Sequence, residues 1–237
     1  MFDDLLSEAD ARRASEVLDS IRAHGLRFAL TGGLAINAQL HSFGYATGRR
    51  PLGDVDLVVE NFASIPGSLA TAFLQHHVHA GATEGRTLLQ LVDRVHAVRI
   101  DLFVELGATL SRARPTDYVD GLPVVSLEDL AARTTALVCG RLRRGRSIDP
   151  KHVRTFTALR GLGRPEHLAA AWEDHRQGLT GTLQDAASET ARLLDRHPEL
   201  VTAETYSADA PRCDRCRQHG PFRPAPRHTI VEILGYC

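Results

Sequence analysis

Apolar residues recur at helical spacing at the start of the chain. Leu5, Leu6, Ala9, Ala14, Val17, Leu18 and Ile21 fall on one stripe, and Gly25 is placed to end a helix over residues 3–24. A short apolar run, 26–31, then reads as a strand entering Gly32-Gly33, after which helical spacing resumes over 34–43. Residues 54–60 (DVDLVVE) read as a strand and 65–77 as a helix. Two more strands are predicted over 88–95 and 97–105. In the second, Val98, Ile100, Leu102 and Val104 alternate with Arg99, Asp101, Phe103 and Glu105.

From Ser126 onward the pattern is helical. Ser126-Leu-Glu-Asp129 has the form of a capping box, opening a helix to about residue 144. Asp149-Pro150 places an N-cap before Pro at the first helical position of a helix to about 162. Two further helices follow over 166–177 and 182–196. The expected fold is α/β (α+β): a small mixed-sheet domain over 1–125, a helical lobe over 126–205, and a Cys-rich tail over 206–237.

Composition narrows the class. With 43% hydrophobic and 24% charged residues among 237, the chain is an ordinary globular protein. No apolar run approaches the ~20 residues of a membrane span, and the acidic start MFDDLLSEAD does not have the form of a signal peptide, so a cytoplasmic location is expected. The net charge of −1, from 28 basic and 29 acidic residues, excludes a uniformly basic nucleic-acid scaffold but leaves room for a local patch. Three of the four cysteines lie in the last 25 residues, a clustering that favours reduced thiols or a metal over disulfides.

Three features of the first domain fit together chemically. A strand ends in Gly32-Gly33 and opens a helix; a later strand carries Asp54 and Asp56 on one face; a third carries Asp101. Singly, these read as a tight turn and solvated acids. Jointly they describe a site, because clustered carboxylates repel unless a cation lies among them, and hard oxygen donors suit Mg²⁺. A glycine pair at a helix N-terminus lets backbone N–H groups approach a phosphate, with the helix dipole favouring the anion.

The series Leu30-Thr31-Gly32-Gly33, Asp54-Val55-Asp56 and Asp101 resembles the signature of the DNA polymerase β-type nucleotidyltransferase superfamily. The form GGLAINAQL…RRPLGDVDLVV…VRIDLFVE is most similar to the AbiEii-type toxin nucleotidyltransferases. The similarity covers about residues 26–105. It departs from the pattern in the 20 residues between Gly33 and Asp54, and in Leu52, where the toxin-like group usually has Thr. The resemblance implies transfer of a nucleoside monophosphate from an NTP such as ATP to an acceptor hydroxyl, with loss of pyrophosphate. Asp54, Asp56 and Asp101 would hold two Mg²⁺ ions, and Asp101 would also serve as a base. Gly32 and Gly33 would cradle phosphates, and Arg50, four residues before the first Asp, would contact them. It implies a tRNA or protein acceptor and a cognate antitoxin as partner. An antibiotic-like small-molecule acceptor and an inactive nucleotide- or partner-binding module are the alternatives.

Residues 141–164 hold eight basic residues against one acid, Asp149. This is either a solvated helix face or a surface for the triphosphate or an RNA backbone, with Lys151 and Arg154 as nucleotide contacts. In the tail, Cys213-x-x-Cys216 has zinc-knuckle spacing. Cys237 with His219 or His228 would complete a structural Zn²⁺ site, free thiols being the plain alternative. His76-His77-x-His79 is a weak metal motif, and Cys139 lies in an apolar stretch as a core residue would.

Overall fold

Local sequence chemistry accounts for most of the helix boundaries. Ser7 caps the first helix, α1 (Glu8–Ala23), accepting a hydrogen bond from the Asp10 N–H, so the helix starts later than the apolar stripe alone predicts. Its stripe, Ala11, Ala14, Val17, Leu18 and Ile21, is buried. The computed structural model describes residues 2, 4–45, 47–76, 88–203 and 222–224. Among them the chain divides into two units. One comprises the described residues within 2–105 and 113–124, with 222–224; the other comprises 106–112 and 125–203.

The first unit is built on a mixed sheet. Its strands are β1 (Ala29–Thr31), β2 (Asp54–Val59), β3 (Phe73–His76), β4 (Leu88–Asp93), β5 (Arg99–Val104), β6 (Arg114–Thr116), β7 (Val119–Val124) and β8 (Phe222–Pro224), in the order β6-β7-β1-β2-β5-β4-β3-β8. β2 runs parallel to β5 and antiparallel to β1, while β4 is antiparallel to β5. Helix α2 (Gly32–Ser42) follows β1 without an intervening loop and packs on β1 and β2. Val55, Leu57, Ile100 and Leu102 are fully buried. Burial of each such side chain is worth about 1.5–3 kcal/mol, which makes β2 and β5 a rigid platform for the polar residues that alternate with them.

Among the described residues of the expected 65–77 helix, 65–76 do not form one: after Pro66-Gly67 there is a single turn, α3 (Leu69–Ala72), and then β3, which pairs antiparallel with β4 from Phe73↔Asp93 to His76↔Gln90. The apolar spacing suits either structure over so short a run, and cross-strand pairing decides it. Strands β6 and β7, which the sequence reading did not resolve, extend the sheet beyond β1.

The second unit is helical. A short α4 (Thr109–Arg112) is followed by α5 (Leu127–Arg143), α6 (Pro150–Leu159), α7 (Pro165–His175) and α8 (Leu183–Arg196). The two expected caps are in place, Ser126 accepting from the Asp129 N–H and Asp149 from the Lys151 N–H, and the structure adds a reciprocal capping box between Thr182 and Asp185. α5 is buried on most sides, with α6, α7 and α8 packed around it. Cys139 is fully buried there beside Trp172, and burial pushes its thiol pKa up. No helix among the described residues is long and apolar enough to cross a membrane.

Candidate active site

Strand register assembles the site. Thr31 on β1 pairs with Asp56 on β2, Asp56 with Asp101 on β5, and Asp101 with Gln90 on β4. These four residues form one row across the sheet, and residues in register on neighbouring strands present their side chains to the same face. Asp54 pairs with Arg99 in the adjacent row of that face. The Asp54, Asp56 and Asp101 carboxylates each offer an oxygen within 4.8 Å of the others. This oxygen donor set fits a hard divalent cation such as Mg²⁺ or Mn²⁺.

Each carboxylate is held differently. The side-chain amide of Gln90, itself 1% exposed, donates from Nε2 to both oxygens of Asp101, at 3.0 and 3.2 Å. Among the described residues, Gln90 Oε1 is buried with no hydrogen-bond partner, so the amide is committed to the carboxylate at the expense of its own acceptor. Arg99 donates to Asp54 Oδ2, and its Nε lies 3.2 Å from Asp101 Oδ1. Burial disfavours the guanidinium charge, but the nearby Asp101, Asp54 and Asp56 outweigh it and raise the Arg99 pKa.

Asp56 rests against the start of α2. Gly32 has φ +64°, and a Cβ there would lie 1.8 Å from Asp56 Oδ2; a Cβ on Gly33 would lie 1.8 Å from an Arg50 guanidinium nitrogen. The glycine pair therefore makes room for the site's own side chains as well as exposing backbone. Arg50 is fixed by its backbone, whose N–H donates to the Leu5 carbonyl at 3.1 Å. Its guanidinium has no carboxylate partner among the described residues, and the N-cap of α2, Thr31, makes no side-chain cap. A helix N-terminus beside such a guanidinium is an electropositive end suited to an anion.

No protein-family model matches the chain, and no curated protein matches it significantly. Among solved structures it is similar to an antigenic nucleotidyltransferase-like protein from Paracoccidioides brasiliensis, at 18% identity and a TM-score of 0.44, over 82% of this chain and 92% of that one.

The structure thus brings Gly32, Gly33, Arg50, Asp54, Asp56 and Asp101 together in one unit. Lys151 and Arg154 lie on α6 of the other unit, both exposed. In the basic segment Arg143 pairs with Glu189 and Arg141 donates to the Ser147 carbonyl, which gives two of its eight charges local structural roles. The tail residues Cys213, Cys216, His219, His228 and Cys237, and His77 and His79, lie outside the described residues. Sequence reasoning missed Gln90 and Arg99. Arg99 carried a legible signal, a cation two residues before Asp101 on the same strand face; Gln90 is visible only once β4 is registered on β5.

Proposed function

We propose that the protein is a divalent-metal-dependent nucleotidyltransferase that moves a nucleoside monophosphate from an NTP to an acceptor hydroxyl. The observation that carries this reading is the row Asp56–Asp101, with Asp54 beside it, set against the start of α2. Asp54, Asp56 and Asp101 would hold Mg²⁺, which supplies neutralisation of the triphosphate and of the charge that develops on pyrophosphate. Backbone N–H groups of the first turn of α2 bind and orient the phosphate chain, with Arg50 as a second contact. Asp101, aimed by Gln90, takes the proton of the acceptor hydroxyl as its oxygen bonds to the α-phosphorus. The P–O bond to the departing pyrophosphate breaks in the same displacement.

The proposal extends to an RNA or protein acceptor of the kind used by AbiEii-type toxins, with an antitoxin as partner. It is supported by the sequence form around Gly32 and Asp54 and by the exposed basic residues Arg144, Arg146, Lys151, Arg154 and Arg160. The test is pyrophosphate release from each NTP in the presence of Mg²⁺ and either total RNA or cell extract. Release is expected from the wild type and to fall about 10²–10³-fold in Asp56→Asn, the cost of losing one preorganised charge-stabilising group. Equal release by both would overturn the assignment.

A further inference from the structure

We propose that Arg99 is a built-in counter-cation of the carboxylate triad, which it occupies in the absence of metal and yields to the divalent ion, so that it sets the metal concentration at which the site forms. This rests on the metal-dependent reading above and adds a device that controls it. Two contacts carry it: Arg99 donates to Asp54 Oδ2, and its Nε stands 3.2 Å from Asp101 Oδ1. The guanidinium thereby bridges two of the three carboxylates that lie within 4.8 Å of one another.

The seat is incompletely satisfied. Arg99 Nε is buried and makes no hydrogen bond among the described residues, despite its closeness to Asp101. A different arginine of this chain shows what a permanent structural pairing looks like. Arg112 grips Asp129 with two parallel hydrogen bonds, Nε to Oδ2 at 2.9 Å and a terminal nitrogen to Oδ1 at 2.6 Å, and Asp129 is fully buried. Bidentate geometry of that kind is the strong form of the interaction. Arg99 lacks it, and its side chain keeps 35% of its surface exposed, which leaves a path out to solvent.

The surroundings also permit exchange. Gln90 holds both oxygens of Asp101 from β4, so that carboxylate keeps its orientation when Arg99 leaves. Asp56 is held in the row by strand register with Thr31 and Asp101 and sits against Gly32. A dication competing with a monocation for three carboxylates wins once its concentration is sufficient, and removing the monocation lowers that concentration.

The test is Mn²⁺ binding to the full chain by titration calorimetry, for wild type, Arg99→Gln and Arg99→Lys. Arg99→Gln is expected to bind Mn²⁺ about tenfold or more tightly than wild type, with Arg99→Lys between the two. A merely structural arginine would give weaker binding on removal, so equal or weaker binding in a folded Arg99→Gln overturns the proposal while leaving the metal site standing. Absence of Mn²⁺ binding in all three overturns both. If Arg99→Gln does not fold, the wild type answers with Arg99→Lys as its assignment control: the Arg99 Nε–H resonance, assigned by its loss in Arg99→Lys, is expected to move in step with Mg²⁺ titration. A resonance unmoved at saturation overturns the proposal.

Discussion

A Cβ on Gly32 would lie 1.8 Å from Asp56 Oδ2. The first residue of α2 and a carboxylate of the triad thus share one volume, and only glycine leaves it to the carboxylate. Gly32→Ala is expected to displace Asp56 and to strain a backbone at φ +64°, a conformation that costs a non-glycine residue on the order of 1–3 kcal/mol. The expected outcome is a folded protein with a melting temperature a few degrees lower and Mn²⁺ affinity reduced at least tenfold; unchanged affinity would show that Asp56 does not need that place.

Gly33 and Arg50 stand in the same relation, and in the proposed function Arg50 contacts phosphate rather than the metal. Arg50→Gln is expected to weaken NTP or pyrophosphate binding about tenfold while leaving Mn²⁺ affinity alone. Parallel titrations with nucleotide and with metal separate the two effects.

The triad was legible in the sequence because Asp54-x-Asp56 and the alternation around Asp101 fix which face each side chain takes, and β2 and β5 then align in parallel. What the sequence did not disclose is long-range. Gln90 becomes a site residue only through the antiparallel register of β4 on β5, and β3 displaced a predicted helix for the same reason, a pairing partner distant in sequence. Helix starts were more readable because caps such as Ser126 and Asp149 act within three residues.

Gln90→Leu tests the aiming of Asp101. The substitution removes two donors to the carboxylate and also an acceptor with no partner among the described residues, so stability should change by only about 1 kcal/mol. Turnover is expected to fall about tenfold or more with little change in KM for the NTP. A large rise in KM with turnover intact would place Gln90 outside the chemistry.

The second unit carries its own pH signature. Asp129 is fully buried; although burial opposes its charge, hydrogen bonds from His175, Arg112 and Ser126 hold its pKa down at about 2, from 3.8. A depressed folded pKa contributes stability that is present in full above the unfolded value and lost as pH falls toward the folded one. This contribution, about 2 kcal/mol, should therefore vanish between about pH 4 and pH 2. Asp129→Asn is expected to be destabilised by about 3 kcal/mol at neutral pH, since Arg112 loses a buried partner, with the gap from wild type narrowing through that window. Thermal melts at pH 7 and pH 3 followed by circular dichroism provide the comparison.

The central claim is that the site transfers a nucleotidyl group. It is tested most directly by incubating the protein with NTP labelled at the α-phosphate or at the γ-phosphate, with Mg²⁺ and total RNA or cell extract, alongside Asp54→Ala. Transfer of α-label but not γ-label to an acceptor by the wild type, and of neither by Asp54→Ala, is the predicted result. Transfer of γ-label, or α-label transfer that survives in Asp54→Ala, would contradict it.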